Sequence, residues 1–174
     1  MNISTPGFVD PYKMAKGKQT LNGVLALSSM ARASQAFESN DGEVAFTLSF
    51  SIDEDGQYLV SGTLEAKLAM RCQRCLQVFT QELKSSFCVS PAKDDKTAKA
   101  LLDTYEPIVL VDNKLYPAEL IEDELILATP LAPLHDYDCI DGDEVKEKFV
   151  TDQARDLNNP FQVLQNLSID KKSQ

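Results

Sequence analysis

Hydrophobic residues fall at every second position over two long stretches in the first half of the chain. Val44, Phe46, Leu48, Phe50 and Ile52 alternate with polar residues, Ala45 excepted, and Leu64, Ala66, Leu68 and Met70 repeat the pattern. A period of two gives each stretch one apolar face, the signature of a half-buried strand. Asp53-Glu54-Asp55-Gly56 lies between them and predicts a hairpin turn. On the returning strand the other face carries Thr63, Glu65, Lys67 and Arg71. A third strand is predicted from about Val78 to Val89, with Leu83, Phe87 and Val89 on one face and Pro91 as its end. Three such strands form an antiparallel meander with one wet face. Cys88, between Phe87 and Val89, is expected to be buried or half-buried.

Helical spacing marks the flanks. Asp10-Pro11 opens a short helix through Lys18, with Asp as cap and Pro at the first helical position. Leu21 to Leu27 reads as a short strand, and Met30, Ala33 and Phe37 predict a helix over 30–37. Lys93 to Leu102 reads as a polar helix or loop, and Pro107 to Val111 as a short strand. Ala118 to Ala128 is a good helix, with Ile121, Leu125 and Ala128 on one face. Glu119, Glu122, Asp123 and Glu124 cluster near its start, where the dipole favours negative charge, and read as an exposed face. Pro130 and Pro133 stop it. Asn158-Asn159-Pro160 caps a last amphipathic helix from Phe161 to Leu167. The expected fold is α+β: an antiparallel β-meander sheet with N-terminal and C-terminal helices packed on it. Residues 1–135 are expected to form a single domain, and residues 136–174 an acidic, partly mobile segment ending in that short helix.

Composition changes this picture in two ways. The chain has 174 residues, 43 % of them hydrophobic, enough for a core that does not depend on disulfides. The first residues lack the basic start and apolar run of a secretory signal, and no stretch reaches the ~20 apolar residues that span a membrane. A cytoplasmic protein is expected. The net charge is −10 and is uneven: residues 1–90 carry 9 acidic and 8 basic side chains, residues 91–174 carry 18 and 9. Most affinity for nucleic acid comes from neutralising phosphates, so RNA contact is confined to local basic residues, and the acidic half suits a basic protein partner.

The candidate chemistry sits in Met70-Arg71-Cys72-Gln73-Arg74-Cys75-Leu76, at the tip between the second and third meander strands. Two cysteines on one turn supply half of a tetrahedral zinc site, and His135 and Cys139, three residues between them, supply another pair. A redox pair and a purely structural turn are the other readings. The redox reading wants a helix N-terminus to lower the thiol pKa, and this CxxC follows a strand. There is no glycine-rich phosphate loop and no complete nucleophile, histidine and acid set.

Arg71 and Arg74 flank the cysteines, and Lys67 and Lys84 could extend a basic patch. No aromatic residues are interleaved with these charges to stack bases. On the C-terminal helix, Phe161 and Leu164 are candidate partner contacts.

Several segments together resemble one family. They are Cys72-Gln73-Arg74-Cys75, Tyr105-Glu106-Pro107-Ile108, the run from Ile121 to Ala128, Pro130 to His135, and Asn159-Pro160-Phe161-Gln162-Val163-Leu164. In order and spacing this looks like the YceD-type large ribosomal RNA subunit accumulation proteins. In many of those a cysteine-rich segment follows the proline-containing stretch; here one histidine and one cysteine stand there. The resemblance implies a bacterial cytoplasmic, non-enzymatic factor needed for normal accumulation of 23S ribosomal RNA. The expected partner is a ribosomal protein or pre-ribosomal particle, with 23S rRNA a second candidate. No membrane and no small-molecule substrate is expected, and zinc is the one candidate cofactor. The alternative is a direct RNA-binding module using Lys67, Arg71 and Arg74; a thiol redox protein or a nuclease ranks below both.

Overall fold

The structure is a computed structural model that describes residues 6–101 and 104–140. Contacts divide the chain into two units, residues 1–135 and residues 136–174. Every helix and strand named below belongs to the first unit.

The elements run α1 (Pro11–Lys16), β1 (Thr20–Ala26), β2 (Glu43–Ile52), β3 (Tyr58–Arg71), β4 (Val78–Ala92), α2 (Asp95–Leu101), β5 (Glu106–Val109) and α3 (Pro117–Ala128), with two short 3-10 turns at Leu27–Ser29 and Ala33–Ala36. The fold class is α+β. The sheet has the order β1-β2-β3-β4-β5. Strands β1 to β4 pair antiparallel, with Phe46 opposite Leu64 and Leu68 opposite Gln81. β5 pairs parallel with β4, Val89 opposite Glu106. The sheet is therefore mixed, not the purely antiparallel meander that periodicity predicts. A parallel neighbour needs a crossover, and the segment carrying α2 provides it.

Alternation sets the layers. On β3, Val60, Leu64, Ala66, Leu68 and Met70 are buried, and Ser61, Thr63, Glu65 and Lys67 are exposed. On β2 the buried set is Val44, Phe46, Leu48 and Phe50. These side chains form one core with Ala15 of α1 and Leu120, Ile121 and Leu125 of α3. Gly62 interrupts the series because the Phe87 ring of β4 lies over it: an added Cβ would sit 2.1 Å from Phe87 Cζ. The hairpin between β2 and β3 turns at Gly56, whose φ of 82° suits glycine. Asp53 holds this turn by accepting from the Gln57 N–H at 2.8 Å. It also accepts from the Tyr105 hydroxyl, which ties the turn to the start of β5. That hydrogen bond, with desolvation and the Asp53 charge, pushes the Tyr105 phenol up to about 12.

Three local expectations are corrected. Residues 30–37 form no α-helix. The backbone N–H groups of Arg32 and Ala33 donate to Glu122 at 2.7 and 3.0 Å, and the Ser29 hydroxyl donates to the Ala26 carbonyl at 2.6 Å. The grip of Glu122 on this segment is tertiary, and the segment keeps only the 3-10 turn at Ala33–Ala36. Pro91 does not end β4, which continues to Ala92. Pairing with β3 stops at Val89, so the missing proline N–H removes no bond from that ladder. Cys88 is exposed, because its neighbours Phe87 and Val89 face the core side and alternation turns it outward.

The acidic start of α3 is also less exposed than its charge suggests. Glu124 is 7 % exposed. Burial raises its pKa, and the charges of Glu106 and Asp123 add to the shift. Glu122 accepts from two backbone N–H groups and from the Arg32 guanidinium at 3.1 Å, while Asp123 takes the other arm of Arg32 at 2.6 Å. Burial pulls Glu122 upward, but the hydrogen bonds from Ala33 and Arg32 outweigh it and its pKa is lowered. A depressed folded-state pKa contributes stability above the ordinary glutamate value, and that stability is lost as pH falls through the folded value. Glu122→Gln is accordingly expected to flatten the acid limb of a Tm-against-pH curve while leaving the neutral-to-alkaline shape unchanged. An acid limb identical to the wild type would refute this.

Candidate metal centre

The alternation of β3 carries through Met70 to Cys72, which lands on the core side and is 0 % exposed. The chain then reverses. The Cys72 N–H donates to the Gln77 carbonyl and the Leu76 N–H to the Cys72 carbonyl, both at 2.9 Å. Leu76 takes a positive φ of 63° to complete the turn. This geometry lifts Cys75 back over Cys72, and the Arg74 N–H points at the Cys72 sulfur, 3.4 Å away.

The segment after α3 closes on this turn. α3 ends at Ala128, and Pro130 and Pro133 keep the next residues extended. The Gln73 N–H donates to the Pro133 carbonyl at 2.8 Å. The Arg74 guanidinium donates to the His135 carbonyl at 3.2 Å. His135 Nδ1 then lies 3.4 Å from Cys75 Sγ, and its ring packs at a 42° tilt against Phe79 of β4, 4.5 Å between centroids.

The ligand atoms of Cys72, Cys75, His135 and Cys139 all lie within 4.8 Å of one another. Tetrahedral zinc with ordinary Zn–S and Zn–N bonds needs sulfur–nitrogen edges of about 3.6 Å, close to the Cys75–His135 separation. None of the four cysteines is bridged. Three sulfurs and an imidazole at these distances can bind a metal ion. Three thiolates and a neutral imidazole around a divalent ion would leave one negative charge, which the adjacent Arg74 offsets.

The other candidate contacts do not gather into one basic patch. Arg71 donates to both oxygens of Glu38, at 3.0 and 2.6 Å, and to the Leu76 carbonyl at 3.0 Å. Its bonds to Glu38 raise its pKa. Lys67 lies on the wet face of the sheet among Glu43, Glu65 and Glu82. Arg71 lies four positions further along the strand, about 13 Å away. Lys84 pairs with Glu82 at 3.2 Å. Phe161 and Leu164 lie outside the described residues, as does the acidic run beyond residue 140.

Sequence reasoning missed three parts of the site: the Pro133 carbonyl, the grip of Arg74 on His135, and the Phe79 ring beneath the imidazole. The fold alone brings residues about sixty positions apart together. The only signal was the proline-rich stretch directly before His135.

No helix among the described residues is long and apolar enough to cross a membrane. A sequence model of the large ribosomal RNA subunit accumulation proteins of the YceD type matches residues 60–168. That span takes in both halves of the cysteine and histidine cluster. The Large ribosomal RNA subunit accumulation protein YceD of Haemophilus influenzae is 31 % identical over 170 residues, covering 95 % of this chain and 97 % of that protein. No solved structure matches the chain. A family match over more than half of the chain, together with a relative 31 % identical along nearly all of it, means that this chain belongs to the YceD family of large ribosomal RNA subunit accumulation proteins.

Proposed function

We propose that this protein is a non-enzymatic cytoplasmic factor that supports accumulation of 23S ribosomal RNA by binding an assembling component of the large ribosomal subunit. Family membership carries the process. In this reading the Cys72, Cys75, His135 and Cys139 cluster holds zinc. A closed set of four protein ligands leaves no open position for substrate, which marks a structural ion and not a catalytic one. Its contribution is to clasp the segment after α3 onto the β3–β4 turn.

The direct partner is a basic ribosomal protein rather than naked RNA. The net charge of −10 opposes phosphate binding. Arg71 and Arg74, the best local exceptions, are engaged by Glu38 and by the His135 carbonyl. Affinity capture of the full chain from lysate, with and without nuclease, tests this. Ribosomal proteins should stay bound after nuclease treatment. Loss of every ribosomal interaction on nuclease treatment would overturn the protein-first reading and leave the RNA-binding alternative.

A further inference from the structure

Beside the metal-binding turn runs a groove of about 340 Å³, formed between β3 and the segment that follows α3. Ala36, Met70, Ile126, Pro130, Leu131 and Pro133 give it an apolar lining. Leu131 projects fully into solvent, and Ile126, which also lines the groove, is exposed. Exposed apolar side chains gathered at one place mark an interaction site more often than they occur by chance on a monomer surface.

Two observations specify the occupant. The first is that the groove offers nothing to a phosphate. Its one basic lining residue is Arg71, whose guanidinium is committed to Glu38 and the Leu76 carbonyl. The second is that α3 ends at the groove with no basic residue in its last turn. Thr129 satisfies the carbonyls of Leu125 and Ile126. With no basic residue of its own in the last turn, the negative end of the helix favours a cation supplied from outside. A second copy of this acidic chain is a poor source of that cation. A basic protein segment is a good one.

We propose that this groove docks a segment of a ribosomal protein in which a bulky apolar side chain enters beside Leu131 and an adjacent lysine or arginine caps the C-terminus of α3. The inference rests on the ribosomal reading above and assigns that reading a surface. It also gives the metal cluster a purpose. The hydrogen bond from Gln73 to Pro133 and the ligand His135 hold the far wall of the groove, so the clasp shapes the docking site.

The test uses the full chain, with the photo-crosslinking residue p-benzoylphenylalanine at position 131 or, as a control, at position 111, where Val111 is exposed and does not line the groove. Crosslinking is carried out on material that co-sediments with large-subunit precursors. Position 131 should crosslink to a ribosomal protein at least tenfold more than position 111, within a peptide that carries lysine or arginine next to an apolar residue. Leu131→Asp, a change at a fully exposed position that leaves the core intact, should reduce co-sedimentation at least tenfold. Crosslinks from 131 to ribosomal RNA, to a second copy of the chain or to nothing would overturn the inference. So would equal yields at 131 and 111, or undiminished co-sedimentation of Leu131→Asp, while wild-type co-sedimentation would leave the ribosomal reading standing. If the wild-type chain does not co-sediment at all, the ribosomal reading fails and the groove assignment fails with it.

Discussion

Cys72→Ser is expected to purify without bound metal and to unfold at a lower temperature than the wild type, which should carry about one zinc per chain. Metal that binds only the folded chain stabilises it by mass action, by about 4 kcal/mol when free metal is a thousandfold above Kd. For a chain of this length each kcal/mol shifts Tm by about 2–4 °C, so the drop should be roughly 8–16 °C. Cys72 is the most telling ligand because it is fully buried at the end of β3. Serine there keeps the volume but replaces a soft thiolate with a hydroxyl that does not ionise at neutral pH. Elemental analysis and thermal melts, each with and without chelator, measure both effects. Chelation of the wild type should reproduce the melt of Cys72→Ser, and chelation of the variant should change nothing further. Full metal content in Cys72→Ser, or a wild-type melt indifferent to chelator, would return the CxxC to an ordinary turn.

Phe50→Ala should lose a similar amount of stability and keep its metal. Phe50 is 2 % exposed on the core face of β2, the strand against which α1 packs. Removing a buried phenyl ring loses its transfer free energy and leaves a cavity that neighbours fill only in part, about 3–5 kcal/mol together. A domain of this kind has only about 5–15 kcal/mol in total, so Tm should fall by roughly 6–20 °C. The ring belongs to the body of the sheet, and the candidate ligands to the tip of the β3–β4 hairpin and the segment after α3. Zinc content per folded chain should therefore match the wild type. Together the two variants separate the core from the clasp: one loses stability alone, the other stability and metal. Loss of metal in Phe50→Ala would mean that the tip is not an independent fixture.

What the sequence revealed and what it hid divide along the range of the interactions involved. β2 and β3 were legible because a period of two, once one face is buried, leaves little freedom. α1 was legible from Asp10 and Pro11, and both backbone bonds to the Asp10 carboxylate are present at 3.1 Å. The four-residue ligand set was legible as two close pairs, although no local rule says that they meet. Residues 30–37 misled because apolar spacing says nothing about Glu122, ninety positions away, accepting from the N–H groups of Arg32 and Ala33. β5 misled because four residues carry no mark of direction; that it runs parallel follows from the crossover through α2. The acidic cluster on α3 read as surface charge, and the burial of Glu124 depends on packing that composition does not report.

The inward position of Cys72 comes from the same odd-and-even count that buries Leu64, Leu68 and Met70. The hairpin can therefore change length only in steps of two. Deleting a single residue between Leu64 and Arg71 would rotate the sulfur to the solvent side of the sheet and take one corner off the candidate cluster. Deleting two would shorten the arm and keep the sulfur facing inward. Parity in one strand decides whether the cluster of three cysteines and one histidine can form.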